Sequence, residues 1–260
     1  MLDFAWDIFL LVLPAAAGYL LNVFRKKVRN GKVKKLLRFN FSKSDKPSIH
    51  FITANTGCYD ENELVTLGFI FEYMSVGEIK SFFSKLFAPN PDMTTNMSKE
   101  HFNDIKRKEI KNNLILIGGP FHNCVTGALL DKMENFPFHY DDDASLVYTP
   151  PTGEEVRFTP RMYDPSSESG NKSYFEGDYC LIVNVKNPLD SSKRIILISG
   201  CRSVGCYGGA VYLSTKLPEV KNLAQSDEYA LVIQCDGERE DLVSPPQLCA
   251  CYPLDIRYKP

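Results

Sequence analysis

The glycines of this sequence stand where chemistry needs bare backbone. Gly118-Gly119-Pro120 ends the apolar run "NLILI", and Asn123 and Thr126 follow at a spacing of about one helical turn. Gly200 and Gly205 bracket Arg202 and Ser203 at the end of a second apolar run, "RIILISG". Thr56 lies in a third bend, Ala54–Gly57, after "SIHFIT". Each bend reads as the passage from a buried strand into a helix. Two causes produce that pattern. Glycine lets the chain turn sharply, and the first amides of a helix offer unpaired N–H groups and a partial positive charge, which suit phosphate or carboxylate. On the second reading Thr56, Gly118, Gly119, Pro120, Asn123, Thr126, Gly200, Arg202, Ser203 and Gly205 form a ligand site. Arg202 either forks onto a phosphate or pairs with an acidic neighbour at the surface. Asn123 and Thr126 either bond a ribose or base or cap the helix that starts there.

Other chemistry is excluded or weakened by spacing. "GCRSVGCY" carries the G-x-x-x-x-G half of a P-loop, but Cys206 and Tyr207 stand where Lys and Ser/Thr are required, so no lysine reaches a terminal phosphate. "GGPFHN" lacks the G-x-G-x-x-G spacing, and no G-x-S-x-G elbow occurs. The eight cysteines contain no C-x-x-C pair and the four histidines are not at zinc spacing, so neither a metal nor a cofactor is expected. The thiols read as small reduced side chains of a buried core. His139 precedes Asp141-Asp142-Asp143, a tempting Mg²⁺ set. Consecutive residues of an extended chain point opposite ways, so this run reads as a solvated loop, as do Glu154 and Glu155. Asp60, Glu61 and Glu168 remain as carboxylates for an enzymatic base, which needs both reach and a tuned pKa.

The elements that must position the bends follow from periodicity. "SIHFITA", "NLILI", "YCLIVNVKN", "RIILISG" and "YALVIQCD" read as strands, with "CACYPLDIRY" as an edge strand. "SLVYTPPTGEEVRFTP" reads as a hairpin turning at Pro150, Pro151 and Gly153. Asp60 and Glu63 open one expected helix, "ENELVTLGFIFEYM", and Ser75 and Glu78 repeat that signature before a second, "IKSFFSKLF". "APNPDMTTNM" reads as a polar loop and "SKEHFNDIKRKEIK" as a helix. Strand–helix units with an antiparallel insertion predict a three-layer α/β domain with a mixed sheet and an inserted β-hairpin. If the three strands are parallel neighbours, their bends gather at the carboxyl edge, where open α/β sheets bind ligands.

"LILIGGPFHN" resembles the strand and Gly-Pro-Phe loop of nucleoside deoxyribosyltransferases and related Rossmann-like nucleotide-sensor domains, matching at Gly119, Pro120 and Phe121. The resemblance implies a Rossmann-like fold with this loop against the sugar-phosphate part of a nucleotide-like ligand. It covers about ten residues, a span far shorter than a domain. The family's Asp-x-Gly-Thr-x-x-Glu pattern, which holds its catalytic glutamate, is missing; "DPSSESG" is a distorted echo.

The N-terminus speaks of a membrane. Phe4 to Phe24 is nearly all apolar, close to the span of roughly 20 residues that crosses a bilayer. No acidic residue occurs between Asp7 and Asp45, whereas Arg25, Lys26, Lys27, Arg29, Lys32, Lys34, Lys35, Arg38 and Lys43 fall in that interval. Positive charge after the apolar run opposes a signal peptide and predicts a single-pass anchor with the N-terminus outside and the remainder cytoplasmic. The basic run either touches anionic head groups or is a solvated flank. Residues 1–24 are expected as the anchor, 25–47 as a basic juxtamembrane segment and linker, and 48–260 as the α/β domain. The formal net charge of −2 argues against bulk nucleic-acid binding. The expectation is a membrane-tethered, homo-oligomeric sensor or effector for a nucleotide-like ligand. That arrangement resembles the membrane-anchored effectors of bacterial nucleotide-signalling and antiphage systems. The alternatives are a membrane-bound nucleoside- or nucleotide-processing enzyme and an anchored scaffold.

Overall fold

In the computed structural model the described residues are 22–39, 48–53, 63–87, 89–97, 110–162, 175–217, 220, 226–236 and 244–259. The chain divides into two units, Met1–Arg38 and Phe39–Pro260. The described part of the first unit is one helix, α1 (22–37), followed by Arg38 at φ 54°. The basic run is therefore helical through Lys35. Residues 1–21 of the expected anchor lie outside the described residues, and among those described no helix is long and apolar enough to cross a membrane.

The second unit is α/β with a mixed sheet. In chain order its elements are β1 (Ser48–Thr53), α2 (Glu63–Leu86), β2 (Asp92–Met97), β3 (Asn113–Ile117), α3 (Cys124–Leu130), β4 (Phe138–Tyr140), β5 (Leu146–Tyr148), β6 (Val156–Phe158), β7 (Arg161–Met162), β8 (Phe175–Asn187), β9 (Asp190–Gly200), α4 (Ser203–Thr215), β10 (Glu228–Cys235) and β11 (Gln247–Leu254). The large sheet runs β11-β10-β8-β9-β3-β1-β2, with β7 pairing off this path on β8. β9, β3, β1 and β2 are parallel neighbours, whereas β8, β10 and β11 continue the sheet antiparallel from β9. The strand β9 is thus the junction between the two halves.

β3 is a continuous apolar run because both of its faces are covered, and all five of its residues are buried. Leu114 and Leu116 pack in one cluster with Val125 and Leu129 of α3, and with Phe138 and Leu146 of the small sheet β4-β5-β6. The opposite face carries α2 and α4: Phe51 meets Phe83 at 6.4 Å between ring centroids, and Gly209 of α4 sits against Cys180 and Ile198. Alternation along the strands sends adjacent residues to opposite helical layers.

Two expectations require correction. Ser75 does not start a second helix: its Oγ donates to Phe71 O within a continuous α2 (2.7 Å), and it is fully buried. Its i−4 bond satisfies the hydroxyl inside the helix instead of capping one. "DMTTNM" is not a loop but the edge strand β2, in parallel register with β1 from Ser48↔Asp92 to Thr53↔Met97. Its polar residues suit an edge with an open side. The expected hairpin is present as β5-β6 and gains β4 as a third strand. The helix expected over Ser98–Lys111 falls almost wholly outside the described residues.

Candidate functional site

The parallel run β1-β3-β9 ends three strands at the same edge, and the two described bends, after β3 and β9, leave from it. β3 lies between the other two, so the Gly118–Thr126 bend is central. The Gly118 N–H donates to Ile198 O of β9 at 3.0 Å, and Asn123 Nδ2 donates to Ile52 O of β1 (3.0 Å) and to Ile117 O (3.1 Å). One residue of the bend thereby ties β3 to each parallel neighbour. Thr56 and the rest of the Ala54–Gly57 bend lie outside the described residues.

Within the central bend, Gly118 has φ 100°, a backbone state that strains any side chain, so the first glycine answers to turn geometry. The Gly119 carbonyl accepts from His122 N (3.2 Å) and Asn123 N (3.0 Å), closing the turn into α3. Asn123 Oδ1 accepts the amides of Val125 (3.1 Å) and Thr126 (3.2 Å), and Thr126 Oγ1 donates to Gly118 O at 3.2 Å. Both side chains are fully buried. Capping therefore accounts for Asn123 and Thr126, and they leave the candidate ligand set.

The third bend carries the larger correction. The amides expected to hold an external anion hold the protein's own Asp178. Its carboxylate accepts from Tyr179 N (2.8 Å), from Gly205 N (2.5 Å), and from Arg202 N at 3.1 Å to each oxygen. Asp178 is fully buried. A negative charge there complements the N-terminus of α4, whose N-cap residue Arg202 makes no side-chain cap bond. Gly205 must be glycine, because a Cβ would lie 2.5 Å from Tyr179 O and 2.8 Å from Asp178 Oδ2. The Gly200 amide is likewise turned inward, onto Cys206 Sγ at 3.1 Å. The antiparallel register Cys180↔Gly200 brings Asp178 under this bend. Burial pushes its carboxyl up to about 6, against the opposing pull of the Gly205, Tyr179 and Arg202 amides and of the Arg202 guanidinium.

What remains outward at the rim is Gly119, Pro120, Phe121, His122, Arg202 and Ser203, all exposed or half-buried. Phe121 is 70% exposed, its ring open to solvent at the rim. Partial burial and then the nearby Arg202 charge lower the His122 pKa below its ordinary 6.5, so the imidazole is neutral at pH 7. Behind these residues Tyr140 Oη lies within bonding distance of Ser199 O (2.9 Å) and Ser199 Oγ (2.7 Å), linking the small sheet to the end of β9. A Cβ at Gly119 would meet that Ser199 Oγ at 3.2 Å. Glu72 of α2 is buried, and its charge helps to push up the Cys206 thiol, after burial itself.

Asp178, His122, Ser199 and Tyr140 were not singled out from the sequence. An aspartate opening a strand signals nothing until the β8–β9 register is known.

Asp141 and Asp143 of the acidic run are paired within the protein. Arg157 bonds Asp141 and reaches both oxygens of Asp143 at 3.3 Å, and His139 Nε2 lies 3.3 Å from Asp141 Oδ1. Among the described residues no cluster of His, Cys, Asp and Glu could hold a metal ion. Cys180, Cys201, Cys206 and Cys235 are buried and free, and burial raises each thiol, Cys201 to about 12. Raised thiols stay protonated and unreactive.

No protein-family model, curated protein or solved structure matches this chain.

Proposed function

We propose that the chain is a membrane-tethered sensor or effector whose second unit, of Rossmann-like design, binds a nucleotide-like ligand at this rim. The observation that carries the reading is the parallel run β1-β3-β9, which brings the carboxyl ends of three strands, and the bends after β3 and β9, to the edge where open α/β sheets take ligands. Phe121 offers a ring for a base to stack on, and Arg202 offers a guanidinium for phosphate. With Asp178 already on the α4 amides, the ligand meets side chains at that bend and backbone mainly at Gly119. The Gly119-Pro120-Phe121 match to nucleotide-sensor loops supports the same ligand class. The apolar run followed by nine cationic residues supports a tether with the second unit in the cytoplasm. A signalling role follows if the ligand favours one assembly state over another, which requires a homo-oligomer, as in nucleotide-triggered antiphage effectors.

The test is a nucleotide screen by thermal unfolding of the intact protein in detergent. A ligand at 100 times its dissociation constant adds about 2.7 kcal/mol of stability, and Arg202→Ala removes most of that gain. Failure of every nucleotide to stabilise the protein, or an unchanged response in Arg202→Ala, contradicts the reading.

One observation favours a second reading, a nucleoside- or nucleotide-processing enzyme. Glu72 is a buried carboxylate whose charge reaches Cys206 in the first turn of α4. Chromatography of nucleosides incubated with the protein tests it: Glu72→Gln abolishes turnover while leaving ligand-induced stabilisation intact.

A further inference from the structure

We infer that α1 is a binding surface for anionic phospholipid, lying against the head groups instead of serving as a passive flank. The inference deepens the membrane-tethered reading and rests on it for the nearness of a bilayer.

Seven cationic residues occupy α1 (Arg25, Lys26, Lys27, Arg29, Lys32, Lys34 and Lys35) with no acidic residue among them. A solvated flank needs nothing else. α1 adds apolar groups in the open: Val28, beyond the expected anchor, is 44% exposed, and Phe24 (64%) and Val23 (46%) stand exposed at the anchor's end. Phe24, Val28 and Gly31 recur at i, i+4 and i+7, which is one face of a helix, and Lys35 closes that face one turn further on. Arg25 and Lys32 border that face on one side, and Lys27 borders it on the other. An apolar stripe edged by lysine and arginine is the pattern of a helix in the interfacial plane. Its rings and methyls enter the acyl boundary while the long cationic side chains reach up to phosphate. Duplex nucleic acid would satisfy the charges but leave Phe24 and Val28 in water, so the apolar stripe favours lipid.

The experiment reconstitutes the full chain by detergent removal into vesicles of phosphatidylcholine alone or with about 30% phosphatidylglycerol, an anionic content of the kind that attracts polybasic segments. Flotation on phosphatidylcholine reads the anchor, and amide hydrogen exchange over residues 22–37 reads the inference. Slower exchange in the anionic vesicles than in neutral ones is expected. The triple variant Arg25→Glu, Lys27→Glu, Lys32→Glu abolishes that difference, as does Phe24→Asn with Val28→Asn. Loss of the three cations alone weakens the contact on the order of a hundredfold, and the three carboxylates that replace them weaken it further. The unfolding temperature of each variant must match the parent protein. Flotation on both vesicles with equal exchange overturns the inference and leaves the anchor standing. Flotation on anionic vesicles alone, reversed by salt, supports the inference and removes the anchor. No flotation on either removes both. Protection by duplex DNA but not by anionic lipid also overturns the inference.

Discussion

Replacing Asp178 by asparagine changes the pH dependence of stability by an amount that follows from its surroundings. The carboxyl sits at about 6 in the folded protein against an ordinary 3.8. A native value above the unfolded one means that the folded state takes the proton first. Stability from this group is therefore fully present below pH 3.8 and is lost as pH rises through about 6. Between pH 7 and pH 5 the native state gains most of a proton and the unfolded chain gains almost none. The linkage integral for those two values gives on the order of 1 kcal/mol more stability at pH 5. Asp178→Asn does not titrate, so this term vanishes, while every other group is common to both proteins and cancels in the comparison. The variant is also less stable at pH 7 by about 1–3 kcal/mol. Asparagine offers one acceptor oxygen, and its NH₂ faces buried amides that then lose a partner. Urea denaturation of both proteins at pH 5, 6 and 7 measures the difference directly. Parallel pH profiles, or a wild type that loses stability toward pH 5 relative to the variant, would refute the placement of a buried ionised aspartate under α4.

Four further outcomes follow from the same geometry. His122 titrates below 6.5 by NMR, and Arg202→Ala moves it upward; an unmoved His122 separates the two side chains. Gly205→Ala forces a Cβ onto backbone at Tyr179 and lowers stability by about 1–3 kcal/mol or more in thermal unfolding, and a neutral effect would misplace the α4 start. Gly77→Ala meets nothing within 4 Å in the middle of α2 and stabilises by about 0.5–1 kcal/mol; a loss of stability would argue for a helix broken at Ser75. Alkylation followed by mass spectrometry modifies exposed Cys249 well before Cys180, Cys201, Cys206 and Cys235, which react only on unfolding.

The strands that build the rim were legible because burial on both faces leaves its mark in composition: "NLILI" and "RIILISG" tolerate almost no polar residue. The β5-β6 hairpin was legible from its proline-glycine turn. β2 was not, since an edge strand half open to solvent carries the composition of a loop. Ser75 and Glu78 share their spacing with a true helix start, and only the buried Ser75–Phe71 bond separates the cases. The site divided along the same line. The Gly118 turn and the Asn123 cap act through neighbours in sequence and could be read locally, whereas the bonds of the same residues to Ile198 and Ile52 depend on strand order. Asp178 acts on residues 24 and 27 positions away, through a register that pattern alone does not set. Its arrival changes the chemistry of the third bend from an empty anion seat to a filled one.

Hydrogen exchange of the intact protein with and without a stabilising nucleotide tests the central claim most directly. The account predicts slowed amides over residues 118–126 and 200–206, at the junction of β3 and β9, with little change across β10 and β11. Protection confined to other parts of the sheet, with those two bends exchanging as before, would contradict it.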